Sequence, residues 1–361
     1  MSRHTSAHID LDALSHNHQR IRQLAPDSRI MAVVKADAYG HGLLRVLPAL
    51  EQTDSLAVAT LSEALQLREA GWQGPLVLLE GFSSRQELQQ AWDLNAEMVI
   101  HQDYQLELLA AERLTLQNRI WLKLDSGMHR LGFPLQQAEQ KYRRLSGLAK
   151  NAELGLMTHF ACADDPGNPM TGQQMERFFK ATRTLEGPRS LANSAALLNF
   201  PDSHQDWVRP GLVLYGISPS PPHDAGHWGL LPVMTLQSNL IAINHCAAGD
   251  AIGYGATYHC PEDMPVGVVA IGYGDGYPLR IGPATPVLVR DREVPIVGRV
   301  SMDMVTVDLR DCPQAAVADR VTLWGQGLPA EKVARAIGTI PYDLICGVTS
   351  RVRMQTHTSF G

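Results

Sequence analysis

The feature that most constrains the fold of this chain is an alternation that repeats from residue 10 to about residue 229. Short apolar runs at 30–34, 56–59, 76–79, 98–100, 120–124, 154–158, 190–192 and 208–215 read as buried strands. Between them lie longer segments at 62–70, 85–94, 104–113, 135–148 and 172–185. Their apolar residues recur at helical spacing, and Ser, Asp, Pro or Gly stand at their edges. Eight strands alternating with helices point to a (β/α)8 barrel of the TIM type. A doubly wound open sheet requires the same alternation, so spacing alone leaves that alternative open. The texture changes at Ser218-Pro219-Ser220-Pro221-Pro222, which can neither continue a helix nor enter a central strand and reads as a linker. Beyond it, β-branched runs at 236–244, 266–272, 286–289, 294–297, 304–309 and 321–323 are bounded by Gly, Pro and Asp, with one helical segment at 330–337. The expected division is a barrel over 10–229 and a mainly β domain over 230–361, with residues 1–9 added to the latter.

Composition narrows the partners. The net charge is −6 and the 31 basic residues are scattered, which argues against nucleic acid and anionic membrane. No apolar stretch reaches the length of about 18 residues that a spanning helix needs. The N-terminal segment has no apolar core of a signal peptide, so the cytoplasm is the expected compartment. Cys162, Cys246, Cys260, Cys312 and Cys346 are odd in number and form no C-x-x-C pair, the pattern of reduced thiols rather than of a disulfide framework or a zinc site. The spaced pairs His4/His8 and His16/His18 read as solvated residues, and no metal is expected.

The chemistry is concentrated where strands end. In Ala32-Val33-Val34-Lys35-Ala36-Asp37-Ala38-Tyr39-Gly40-His41-Gly42, a lone lysine stands at the mouth of the first strand, ahead of two glycines that permit a turn. Partial desolvation disfavours the charged amine and makes it nucleophilic, as a Schiff-base lysine requires. In Trp121-Leu122-Lys123-Leu124-Asp125-Ser126-Gly127-Met128-His129-Arg130-Leu131-Gly132, Arg130 sits in a glycine-flanked loop and can fork onto a carboxylate. Lys123 falls inside a strand, where a charge is costly unless paired or modified. His159 closes the sixth strand. Asn193-Ser194 stands at a strand-to-helix junction with a hydroxyl at the capping position, the kind of place where phosphate binds. Val208-Arg209-Pro210-Gly211-Leu212 offers a further close-approach glycine beside an arginine.

Taken with Ile252-Gly253-Tyr254-Gly255, Ile271-Gly272-Tyr273-Gly274-Asp275, Gly298-Arg299-Val300-Ser301-Met302-Asp303 and Pro341-Tyr342-Asp343, these motifs occur in the order found in the alanine racemases. The chain resembles that family from Ile9 to Met354, and the resemblance implies a pyridoxal 5'-phosphate (PLP) enzyme interconverting L- and D-alanine. It implies that Lys35 holds PLP and that Tyr39, Ser194 (with Asn193 beside it), Gly211, Leu212 and Tyr342 form the phosphate site. Arg209 would face the pyridine nitrogen. Lys123, often carbamylated in the family, would orient Arg130. Arg130 and the Met302 backbone N–H would bind the substrate carboxylate. Tyr273 would stand at the entryway and His159 would hydrogen-bond the catalytic Tyr254. Racemisation needs a base on each face, and the resemblance assigns Lys35 to the D-side and Tyr254 to the L-side. Arg209, with an ordinary pKa above about 12, would donate to the ring nitrogen without losing its proton. A homodimer with shared active sites and a role in supplying D-alanine for peptidoglycan are further implications. Three residues depart from the family pattern: His129 stands where many relatives have glycine, Ser301 where cysteine is common, and Pro210 beside the phosphate site. Other readings remain. A broad-specificity or serine-preferring racemase shares every motif, a fold-type III decarboxylase shares the architecture, and a non-catalytic PLP-carrier protein would be barrel only.

Overall fold

The structure is a computed structural model and describes residues 5–112, 117–282 and 284–358. By contacts the chain divides into two compact units, one of Asn17–Leu214 with Ser218–His223, the other of Met1–His16, Tyr215–Ile217 and Asp224–Gly361.

In the first unit eight parallel strands close on themselves: Arg29–Val33, Ser55–Val58, Leu76–Leu78, Glu97–Ile100, Ile120–Asp125, Leu154–Met157, Arg189–Asn193 and Trp207–Arg209. The last pairs back onto the first, Trp207 opposite Arg29 and Val208 opposite Ile30, which decides for the barrel over the open sheet. Strands covered on both faces should be apolar throughout, and Ser55–Val58, Leu76–Leu78, Glu97–Ile100 and Leu154–Met157 are buried at every position. Two of the barrel helices start where side chains satisfy their free N–H groups. Thr60 Oγ1 accepts from the Glu63 N–H while Glu63 Oε2 accepts from the Thr60 N–H, a reciprocal cap for Leu61–Glu69. Ser84 Oγ caps Arg85–Asp93 by accepting from the Glu87 N–H, while the Glu87 carboxylate accepts from Ser83.

Two expectations need correction. The eighth strand does not run to residue 215. It stops at Arg209, and Leu212–Tyr215 forms a 3-10 turn. Pro210 has no N–H to continue a ladder, although its carbonyl still accepts from the Val33 N–H at 2.9 Å. The Pro-rich stretch at 218–222 is not a free spacer. Ser218 and Ser220 are buried, and the Ser220 hydroxyl accepts from Asn199 Nδ2 at 2.7 Å, so the segment is folded into the barrel unit.

The second unit is an antiparallel sheet that also closes. Met264–Val269, Val305–Asp308, Arg292–Val297, Pro286–Val289, Arg320–Trp324 and Met234–Cys246 pair in that order, and Met234–Cys246 returns to Met264–Val269. The 13-residue strand Met234–Cys246 is long enough to pair with Arg320–Trp324 through its first half and with Met264–Val269 through its second. The helix Ala330–Ile337 lies where the sequence places it. Two strands are invisible to periodicity: Ser6–Asp10, which pairs antiparallel with the long strand, and Arg353–His357, which pairs parallel with Ser6–Asp10 on its other side. Arg353–His357 is mostly exposed and polar, so no apolar alternation marks it.

Candidate active site

In a parallel barrel the strand C-termini share one rim, where functional side chains gather. Lys35 follows the first strand and is half-buried. The backbone beyond it is unusual. Ala36, Asp37, Ala38 and Tyr39 all take left-handed φ angles (53°, 51°, 54° and 53°), a conformation that costs roughly 1–2 kcal/mol per non-glycine residue. Hydrogen bonds hold the turn in place. Glu63 Oε1 accepts from the Ala36 N–H at 2.7 Å, Asp37 Oδ1 accepts from the Leu43 N–H at 2.6 Å, and the Asp37 carbonyl accepts from the Gly42 N–H at 2.9 Å. The expectation that glycines 40 and 42 make this turn covers only its end. The same Glu63 that caps the second barrel helix anchors the chain at Lys35.

The turn brings Tyr39 against Gly211. A Cβ on Gly211 would lie 2.4 Å from Tyr39 Oη and 2.9 Å from Cζ, so only glycine admits the phenol here. The Ser194 hydroxyl accepts from the Gly211 N–H at 2.9 Å and the Val213 N–H at 3.4 Å. Asn193 caps the short helix Ser194–Asn199 through the Ala196 N–H. Tyr39, Asn193, Ser194, Gly211 and the buried Leu212 all belong to the barrel unit, with Gly211 against both Tyr39 and Ser194.

Arg209, at the end of the eighth strand, is 5% exposed. It donates to Ser190 Oγ at 2.7 Å and to the carbonyls of Thr158 at 2.6 Å and Leu191 at 3.2 Å, with His159 Nδ1 at 3.2 Å. Burial lowers its pKa to about 10, below the value its sequence context suggests, and it stays protonated at neutral pH. His159 is held well below the usual imidazole range by burial and by the charges of Arg209, Lys123, Arg130 and Lys35, so it is neutral. Lys123 is 9% exposed, and burial followed by the charges of Arg209, Arg130 and Lys35 lowers its pKa to about 8, with Glu80 opposing. Lys35, Lys123, Arg130 and Arg209 form a positive cluster at one mouth. Such a mouth attracts a molecule carrying a phosphate and a carboxylate.

The remaining predicted positions lie in the second unit. Tyr254 starts a 3-10 turn between Gly253 and Gly255 and is 72% exposed. Tyr273 and Met302 are also exposed, on two loops that are joined because the Tyr273 N–H donates to the Ser301 carbonyl at 3.0 Å and the Gly274 N–H to the Met302 carbonyl at 2.9 Å. Tyr342 lies in the helix Pro341–Cys346. Several positioning residues escape the sequence reading. Arg351 pairs with both Asp275 and Asp303 and so ties the Tyr273 and Met302 loops together. Gln174 donates to Ser126 Oγ and the His159 carbonyl and accepts from the Ala161 N–H. None of them carries a motif, and each is identified only by what it touches. Among the described residues no cluster of three metal-ligating side chains occurs, and no helix is long and apolar enough to cross a membrane.

The chain is similar to known proteins along nearly its whole length. The family model "Alanine racemase, N-terminal domain" matches residues 9–219 and "Alanine racemase, C-terminal domain" matches residues 233–356. A protein of Nitrosococcus oceani named alanine racemase is 52% identical over 348 residues, 95% of this chain and 97% of that relative. One of Shewanella woodyi is 49% identical over 347 residues, 96% of this chain and 97% of that relative. The crystal structure of the biosynthetic alanine racemase from Pseudomonas aeruginosa superposes with a TM-score of 0.95 at 43% identity, covering 99% of this chain and 100% of that one. The alanine racemase of Bartonella henselae, solved with covalently bound pyridoxal phosphate, superposes with a TM-score of 0.88 at 26% identity, covering 98% and 99%.

Proposed function

This chain belongs to the alanine racemase family of isomerases, and on that premise we propose how its own residues interconvert L- and D-alanine with PLP as cofactor. The observation that carries the proposal is the cationic barrel mouth, where the half-buried Lys35, a glycine–tyrosine cradle and a desolvated arginine belong to one rim. The residues fit the group. The Ser194, Gly211 and Leu212 segment, with Asn193 beside it and Tyr39 on the Gly211 cradle, would hold the phosphate, Tyr342 would add a contact, and Lys35 would carry the cofactor on its ε-nitrogen. When bound, PLP supplies an electron-accepting ring that acidifies the substrate α-proton.

The protein's part is orientation and proton transfer. Arg209, fixed by Ser190, Thr158 and Leu191, would donate a hydrogen bond to the ring nitrogen and keep its own proton, which would moderate the electron demand of the ring. Arg130 and the Met302 N–H bind the substrate carboxylate, and Tyr273 narrows the entry. Lys35 exchanges the α-proton on the D-side and Tyr254 on the L-side, with His159 accepting a hydrogen bond from the Tyr254 phenol. Lys123 is a carbamylation site. An amine with a lowered pKa is reactive towards carbon dioxide, and a carbamate turns a buried cation among cations into an anion that orients Arg130. The assembly is a homodimer in which one protomer's β unit covers the partner's barrel mouth and excludes water. We place the enzyme in the cytoplasm, supplying D-alanine for peptidoglycan, in keeping with the biosynthetic Pseudomonas aeruginosa relative. Purified protein with PLP should convert L-alanine to an equal mixture of enantiomers in a chiral assay. Absence of D-alanine, with visible absorbance showing bound cofactor, would leave only a carrier. Faster turnover of serine would move the substrate.

A further inference from the structure

The loop that presents Arg130 is built around one carboxylate. Asp125 is the last residue of the strand Ile120–Asp125 and is largely buried. Its Oδ1 accepts three successive backbone N–H groups, from Gly127 at 2.9 Å, Met128 at 3.0 Å and His129 at 3.1 Å. Its Oδ2 takes the side chain, with His129 Nδ1 at 3.0 Å. Three convergent N–H donors on one oxygen wind the chain tightly around the carboxylate, and the next residue is Arg130. The far end of the loop is closed just as tightly. A Cβ on Gly132 would lie 2.7 Å from the Asp125 backbone nitrogen, so the segment 125–132 returns onto its own strand. His129 takes a left-handed φ of 57°, which a side chain other than glycine's tolerates poorly. The imidazole tether to Asp125 is the local interaction that offsets this strain.

We propose that Asp125 is the positioning residue for Arg130, its carboxylate acting as the hub on which the loop is wound, with His129 as a second tether that replaces the conformational freedom of a glycine. The hydrogen bonds also hold the Asp125 carboxyl below the usual range against the opposing effect of burial, so the hub stays ionised at working pH. Charge-assisted bonds of this kind are the strong ones. Both Asp125 oxygens are taken up by the loop's own residues, so its effect would reach the reaction through where the guanidinium stands. The inference rests on the reading of Arg130 as the substrate-carboxylate ligand.

The test therefore includes Arg130→Ala as its reference. In the holoenzyme, Asp125→Ala should raise KM for alanine at least about tenfold, the order expected when a binding group is displaced by an ångström or so, while bound-cofactor absorbance is retained. Asp125→Asn keeps one carbonyl oxygen for the three N–H groups and should lose far less, whereas Asp125→Leu, which fills the space without an acceptor, should lose as much as Asp125→Ala. A second readout is independent of turnover: acetate, a carboxylate without an amine, should protect the wild-type holoenzyme against thermal unfolding and protect Asp125→Ala much less. In the double variant the two losses should not add, because both remove the same contact. If Arg130→Ala leaves KM and acetate protection unchanged, the reading of Arg130 fails. If Arg130→Ala abolishes both and Asp125→Ala changes neither, the hub is refuted alone. Should Asp125→Ala not fold, His129→Ala carries the test, since it removes the tether but keeps the strained φ of 57° and should raise KM in the same direction by a smaller factor, and an unchanged KM and acetate protection there would overturn the clamp.

Discussion

Lys123 gives the sharpest quantitative test. Its side chain is 9% exposed and its pKa is lowered from the ordinary 10.5 to about 8, first by burial and then by the charges of Arg209, Arg130 and Lys35. Each factor of ten in acidity is about 1.4 kcal/mol, so holding this ammonium in the folded barrel costs about 3 kcal/mol by the same relation. The sign follows from proton binding. Below pH 8 the lysine is protonated whether the chain is folded or not, and the full cost is present. Between pH 8 and 10.5 the unfolded chain binds the extra proton, so stability rises with pH, and above that range the cost has vanished. Lys123→Met keeps most of the stem and removes the charge, a replacement that buried ionic groups often tolerate with a gain. Urea unfolding of both holoproteins in buffers free of carbon dioxide should show the variant favoured at pH 7, and the gap between the two should close by about 3 kcal/mol as pH passes from 8 to 10.5. The change in the gap is the quantity to read, since titrating groups remote from Lys123 cancel between the two proteins. Bicarbonate at pH 8 should then stabilise the wild type and leave the variant unmoved, because a carbamate replaces a repelled cation with an anion facing three cations. A gap that stays constant across this pH range would refute the electrostatic account of Lys123, and a wild type indifferent to bicarbonate would refute its modification.

Three further outcomes follow from the site. Tyr254→Phe should lose α-proton exchange from L-alanine far more than from D-alanine when solvent deuterium incorporation is followed, and equal losses would refute the assignment of faces. Inactive Lys35→Ala and inactive Tyr254→Phe protomers, mixed under conditions of subunit exchange, should regain activity through one intact shared site per heterodimer, whereas a mixture that exchanges yet stays inactive excludes shared sites. Gly211→Ala should weaken PLP binding and cost about 1–3 kcal/mol in folding stability, since its Cβ would fall 2.4 Å from Tyr39 Oη; unchanged cofactor affinity in a fluorescence titration would show that the Tyr39–Gly211 contact is not part of the phosphate site.

Much of this protein is set by local rules. The alternation of apolar runs and amphipathic segments is enough to announce strands and helices, because burial on both faces demands continuous apolar residues and a helix needs only one apolar stripe. Lys35 and His159 are visible for the same reason, since each is a polar residue at the end of an apolar run, whereas Arg130, Ser194 and Arg209 stand out through the motifs around them. Closure of the barrel was not decided locally. It depends on Trp207–Arg209 pairing back onto Arg29–Val33, a contact between residues far apart in the chain. The strand Arg353–His357 is likewise the product of its neighbours, since its polar sequence gains backbone partners only when Ser6–Asp10 lies beside it. The left-handed turn at Ala36–Tyr39 contradicts the preference of every residue in it and exists because Glu63, 27 residues further on, accepts the Ala36 N–H and Asp37 folds back onto Leu43. The lowered pKa values of Lys123 and Arg209 have the same origin. A side chain's type and local spacing are written in the sequence, but desolvation and the field of neighbouring charges arise only once distant strand ends share one rim.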